Sequence, residues 1–193
     1  MSEEAVKTSQ AETSPKVGTV SSRRVYTGKI FSLDVDQVRF PDGKIGQLEI
    51  IRHPGASAVV PFLDANDDPQ VLLIKQYRYA ANGYVYEIPA GRIDAGETPE
   101  QCARRELREE TGYLAGKVRL LSSIYTTPGF IDEKIHLFMA EDLTGGTANQ
   151  EPDEFVELHP LRLSRVVAMI CSGEIVDGKS IAGLLLAYLT RKS

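Results

Sequence analysis

Four glutamates and one arginine of this 193-residue chain stand at spacings that can do chemistry: Glu97, Arg105, Glu106, Glu109 and Glu110. If the segment is helical, a rotation of about 100° per residue puts Glu109 and Glu110 about 60° and 40° to either side of Glu106. Three carboxylates then share one face, and each like-charged pair costs about 0.2–0.5 kcal/mol. A hard divalent cation such as Mg2+ takes oxygen ligands and retains some water, so it turns that repulsion into binding. Arg105 lies beside this face, where its planar fork can orient a carboxylate through paired hydrogen bonds. An acidic, Arg-containing helix is by itself more often a solvated surface laced with ion pairs. The surrounding string decides between the two readings.

That string is GRIDAGETPEQCARRELREETGY, from Gly91 to Tyr113. Its helix is well delimited. Thr98 is an N-cap with Gln101 three residues on, Pro99 fills the first helical position, and Gly112 supplies a left-handed stop, which predicts a helix over Pro99 to Thr111. The whole string fits Gly-x5-Glu-x7-Arg-Glu-apolar-x-Glu-Glu-x-Gly, and by it the chain resembles the Nudix hydrolase family. At background residue frequencies a chance match in a chain of this length is about one in a million. One departure is visible: the position after Gly112, usually aliphatic in that family, is Tyr113.

The resemblance implies a Nudix fold, covering about residues 55 to 189, and hydrolysis of a nucleoside diphosphate linked to another group. It makes Glu106, Glu109 and Glu110 the Mg2+ ligands, with Mn2+ as an alternative cation. Glu97 becomes a nearby partner, Arg105 an orienting residue, and the backbone carbonyl of Ala90 a further ligand. The chemistry is intelligible in its own terms, since a pyrophosphate repels incoming hydroxide and metal ions both neutralise that charge and acidify water.

Features outside the box resemble the ADP-ribose pyrophosphatase subgroup. Pro128 lies sixteen residues beyond Gly112, with Gly129 after it. The strings Gln76-Tyr77-Arg78 and Tyr86-Glu87-Ile88-Pro89-Ala90-Gly91 add to the likeness, which includes Glu87 among the substrate-binding candidates. So does a preceding hairpin, which in that subgroup is often exchanged across a homodimer. Arg52 and Arg78 flank predicted strands and can grip a diphosphate with the bidentate geometry that only arginine offers. Tyr26 or Phe31 can stack on adenine, although aromatic residues on strands more often fill a core. The acidic loop from Gly145 to Glu154 (GGTANQEPDE) is long enough to act as a lid. The subgroup places a catalytic glutamate there, which selects Glu154, with Glu151 second; abstraction of a proton from water needs such a carboxylate within reach.

These residues need a scaffold. With 42% hydrophobic and 25% charged residues the composition is globular. A chain this long can bury about 70% of its unfolded surface without a metal or disulfide to staple it, so any metal serves chemistry. Twenty-two Lys and Arg against 27 Asp and Glu give a net charge of −5, which disfavours nucleic acid or an anionic membrane as partner. Cys102 and Cys171 have no zinc or disulfide spacing and read as reduced core residues. His53, His136 and His159 are scattered and read as core or surface.

Residues 1–20 lack an apolar signal stretch and are too polar to order themselves, so they read as a disordered tail of a cytoplasmic protein. Residues 21–54 read as a β-rich dimerisation subdomain, a hairpin turning at Pro41-Asp42-Gly43-Lys44 that must pack on the rest of the chain or on a second copy. Residues 55–193 read as the hydrolase domain. Strands are expected near residues 56–62, 71–79, 84–88, 118–125, 135–140 and 155–158, with helices near 162–171 and 180–188 after the first. This order predicts an α/β (α+β) architecture, a mixed β-sheet sandwiched between helices.

The activity so implied is Mg2+-dependent hydrolysis of ADP-ribose to AMP and ribose 5-phosphate. Another sugar nucleotide, a dinucleotide or an acyl-coenzyme A is the alternative substrate. A non-catalytic nucleotide sensor is the alternative of a different class, and the intact set of Arg105, Glu106, Glu109 and Glu110 weighs against it.

Overall fold

A computed structural model describes residues 16–145 and 156–192. The chain divides between Arg52 and His53 into two units.

The first unit is a three-stranded antiparallel sheet of β1 (Gly18–Thr27), β2 (Ser32–Arg39) and β3 (Ile45–Arg52), in that order. The sequence led us to expect a hairpin, which β2 and β3 supply. The added strand β1 begins at Gly18, inside the stretch read as a tail. Every residue of β1 is exposed, so it is held by backbone pairing to β2 and carries no apolar alternation to announce it. On β2, Asp34 and Asp36 are buried. Arg24 and Arg52 both pair with Asp34, the latter through Nε at 3.2 Å, and Arg52 also pairs with Asp36. The hydrogen bond from Arg24, followed by that from Arg52, outweighs burial and holds the Asp34 carboxyl below its ordinary value.

The second unit contains the expected mixed sheet between helices. β4 (Ala56–Pro61) pairs antiparallel with β7 (Ala90–Arg92) on one side and parallel with β9 (Lys134–Thr144) on the other; β8 (Leu114–Tyr125) completes the order β7-β4-β9-β8. A second sheet, β10-β5-β6, is antiparallel and comprises β10 (Val156–Arg162), β5 (Gln70–Arg78) and β6 (Gly83–Glu87). The helices are α1 (Pro99–Thr111), α2 (Leu163–Cys171) and α3 (Gly178–Lys192).

Strand β4 is buried along its whole length because both faces are covered. Ala58 and Val60, with Leu137 and Met139 of β9, join the larger core, which Leu184 and Ala187 of α3 complete. The alternate residues Val59, Phe138 and Ala140 pack with Ala103 and Leu107 of α1. The period of two along each strand thus delivers one helix to each face. α3 packs closely at Gly183, where a Cβ would lie 3.0 Å from Ile88. Of the two cysteines, both free, Cys102 is buried as expected; Cys171, at the end of α2, is exposed and is not part of the core. Among the described residues no helix is long and apolar enough to cross a membrane.

Removing the Asp34 charge tests the charge cluster of the first unit. Because the folded carboxyl titrates below its ordinary 3.8, its stabilising effect is present above that value and is lost as pH falls through the depressed one. Asp34→Asn should therefore weaken amide-exchange protection across β1 to β3 at neutral pH, and the difference from wild type should fade on acidification.

Candidate active site

Helix α1 has the limits that its local stereochemistry dictates. The Thr98 hydroxyl accepts the Gln101 N–H, the Gln101 side chain accepts the Thr98 N–H, and Gly112 closes the helix at φ 76°. Leu107 points into the core, which fixes the rotation of the helix and hence the direction of its acidic face.

Arg105 organises that face. Its Nε and Nη2 donate to the two oxygens of Glu97 at 2.9 and 3.0 Å, and its Nη1 donates to Glu106 at 2.7 Å and to Glu109 at 3.1 Å. Nη2 also reaches the Arg92 carbonyl at 3.0 Å. The Glu97 hydrogen bond leads the causes that raise the proton affinity of Arg105, and the same contact lowers that of Glu97. Glu97 is further fixed by the Asp94 N–H at 3.1 Å. Glu110 is buried at 2% exposure and accepts the Ala90 N–H at 3.0 Å. The neighbouring buried Cys102 thiol is pushed up to about 11, first by burial and then by Glu106 and Glu97.

Glu106 lies directly against the backbone of Gly91. A Cβ built there would stand 1.9 Å from Glu106 Oε1, so only glycine leaves the carboxylate its place. Ala90 and Gly91 in turn line a cavity of about 600 Å³, together with His53, Arg78, Arg92 and Lys179. The acidic face of α1 therefore abuts a cavity with cationic groups in its wall.

Among the described residues no three or more His, Cys, Asp or Glu side chains converge into a ready metal cluster. The reason is visible in the geometry, since the Arg105 guanidinium occupies the space among Glu97, Glu106 and Glu109. The donor set nevertheless fits a hard dication. Its side chains are all carboxylates, more than Arg105 alone can neutralise, and Glu106 is seated in a cradle that a Cβ would fill.

The other sequence candidates fall in several places. Arg78 lines the cavity but commits its Nε and Nη2 to Glu87, at 2.7 and 2.9 Å. Glu87 is 2% exposed and does not line the cavity. Arg52 belongs to the first unit, where it pairs with Asp34 and Asp36. Tyr26 and Phe31 belong to that unit too, half exposed, with ring centroids 5.9 Å apart. Pro128 and Gly129 lie in the exposed turn between β8 and β9, where Phe130 and Ile131 donate to the Thr127 carbonyl; neither lines the cavity. Glu151 and Glu154 fall outside the described residues.

Sequence reasoning missed His53, Glu133, Asp177 and Lys179 in the cavity wall. His53, read as core or surface, lies 3.3 Å from Glu133. The spacing of these residues holds no periodic signal that could have found them.

Comparison with known proteins finds matches in both units. Residues 52–172 match the NUDIX domain, and residues 18–48 match the nucleoside diphosphate sugar hydrolase N-terminal domain. An ADP-ribose pyrophosphatase of Bacillus subtilis (strain 168) is 40% identical over 164 residues, spanning 84% of this chain and 87% of that protein. A GDP-mannose pyrophosphatase of Citrobacter koseri is 39% identical over 160 residues, spanning 75% of this chain and 82% of the relative. The crystal structure of an ADP compounds hydrolase superimposes with a TM-score of 0.78 at 21% identity, over 92% of this chain and 95% of the other, and so shares the fold. The domain match spans more than half of the chain, including the helix that carries the carboxylates, and on that evidence the chain belongs to the Nudix family of hydrolases.

Proposed function

We propose that the protein hydrolyses the diphosphate of ADP-ribose to AMP and ribose 5-phosphate with Mg2+. The observation that carries this reading is the Arg105-centred set of Glu97, Glu106 and Glu109, with the buried Glu110 on the same helix, beside a cavity whose wall includes Arg78, Arg92 and Lys179. Carboxylates suit a divalent cation, and cations suit a diphosphate ester. Identity of 40% to an ADP-ribose pyrophosphatase over most of both chains favours this substrate. The GDP-mannose pyrophosphatase at 39% identity makes other sugar nucleotides the second reading.

In this reading Glu106, Glu109 and Glu110, with the Ala90 carbonyl, hold the cation, which when bound neutralises phosphate charge and acidifies water. Arg105 and Glu97 keep the carboxylates in register. Arg78 orients the diphosphate within the cavity. Glu154, or Glu151 after it, accepts a proton as water oxygen attacks phosphorus and the bridging P–O bond breaks. Arg52, Tyr26, Phe31, Pro128 and Gly129 are the further substrate candidates, and a homodimer working in the cytoplasm is the assembly we propose for the two units.

Purified protein should be incubated with ADP-ribose, GDP-mannose, a diadenosine polyphosphate and an acyl-coenzyme A in Mg2+. ADP-ribose should show the highest kcat/KM; better turnover of another substrate displaces it, and hydrolysis of none overturns the reading. Glu109→Gln should cost about a hundredfold or more in kcat with the fold intact by circular dichroism. Gly91→Ala should push Glu106 from its seat and lower both Mg2+ affinity by calorimetry and turnover, while leaving the thermal transition of the core close to that of wild type.

A further inference from the structure

Glu87, at the end of β6, is a carboxylate with 2% exposure and two cationic partners. Arg78 donates to it twice, and the ammonium of Lys179, 92 residues further along the chain, donates to it as well. Lys179 also donates to Asp177 at 3.0 Å. Asp177 accepts the Ser180 N–H and hydroxyl, and the Ser180 hydroxyl oxygen accepts the Ile88 N–H at 2.9 Å. The start of α3 is thus fastened to the end of β6. Burial works against a charged Glu87, but Arg78 and Lys179 together outweigh it and keep the carboxyl below its ordinary range.

The two cations line the cavity and their shared carboxylate does not. An ammonium has three donors and a guanidinium five. Lys179 places two on Glu87 and Asp177, and Arg78 places two on Glu87. Counted among the described residues, N–H groups are left on both for a ligand in the space they border. That same space is bordered by Gly91, against which Glu106 lies. A charge cluster built on a buried carboxylate is a poor way to gain stability compared with apolar packing. It is a good way to hold a flexible lysine and an arginine still before an anion arrives, because less rotamer freedom is then lost on binding.

We propose that Lys179 is a substrate-binding residue of this site, which with Arg78 clamps the anionic oxygens of the diphosphate, and that Glu87 is the positioning residue for both. This rests on the diphosphate-hydrolase reading of the same cavity. Glu87, offered by the sequence as a substrate contact, acts here through its two cations.

The test is Lys179→Met, with Lys179→Arg as the conservative variant. Loss of one charge-assisted contact should raise the KM for ADP-ribose about tenfold or more, with kcat changed less than about threefold. The Kd for inorganic diphosphate with Mg2+ should rise by a similar factor, that for adenosine should not move, and Lys179→Arg should recover most of the loss. A purely structural tie would lower the melting temperature without this split between diphosphate and adenosine. Unchanged KM and diphosphate affinity in folded Lys179→Met overturn the proposal even when wild-type turnover upholds the reading. A selective loss of diphosphate affinity in a protein that hydrolyses no diphosphate ester upholds the clamp and overturns the reading. A measurement on wild type alone covers variants that fail to fold. Inorganic diphosphate with Mg2+ should protect Lys179, but not the exposed Lys117, from an amine-labelling reagent read by mass spectrometry; equal labelling with and without diphosphate overturns the clamp.

Discussion

One guanidinium among several carboxylates is the interaction on which the site depends. The N–H groups of Arg105 meet five oxygen acceptors, both oxygens of Glu97, one each of Glu106 and Glu109, and the Arg92 carbonyl, and Nη2 also reaches Cys102 Sγ. A lysine has three donors around a point charge and cannot span this set. The planar fork fixes where each carboxylate lies as well as cancelling part of its charge. It also joins α1 to the loop before it through Glu97 and to β7 through Arg92, so the acidic face is registered against the strand that borders the cavity.

The two-faced sheet supplies the frame for that register. Ala56 of β4 and Ile135 of β9 are paired at the starts of these parallel strands, and both line the cavity along with Ile124 and Tyr125 near the end of β8. α1 is clamped on one face through Leu107, Val59 and Phe138, and α3 on the other through Leu184, Val60 and Leu137. Both helices are therefore anchored by apolar burial away from the cavity and present polar residues to it or beside it. Leu107 sits between Glu106 and the glutamates at 109 and 110, so the contact that holds the helix also aims its charges.

This division explains what could be read from the sequence. The limits of α1 are set within a few residues by Thr98, Pro99, Gln101 and Gly112, and local stereochemistry of that kind survives in any fold. The apolar runs of β4 and β5 and the Glu106, Glu109 and Glu110 face were legible for the same reason. β1 was read partly as tail because an exposed strand paired only through its backbone has no apolar rhythm, and the three-residue β7 is too short to show one. The Glu87, Arg78 and Lys179 cluster was illegible as a unit, since its members are brought together by the packing of α3 onto the sheet. Arg52 illustrates the reverse: its exposed-looking sequence context concealed two buried acids on β2 that share its charge.

A site that holds carboxylates and cations close together faces a conflict, because each set is the counter-ion of the other. At an effective dielectric of about 20, opposite unit charges about 4 Å apart attract by about 4 kcal/mol, enough for protein cations and carboxylates to collapse on one another. The structure avoids this by giving each set its own counter-charge. Glu97, Glu106 and Glu109 have Arg105, whereas Arg78 and Lys179 have Glu87 and Asp177. The field of Glu110 still reaches Arg78, yet Arg78 makes its ion pair with Glu87. Arg105 cancels part of the charge of its carboxylates and Glu87 and Asp177 offset that of Arg78 and Lys179, so the two sets keep apart, and the donors that Arg78 and Lys179 leave unused border the cavity they line.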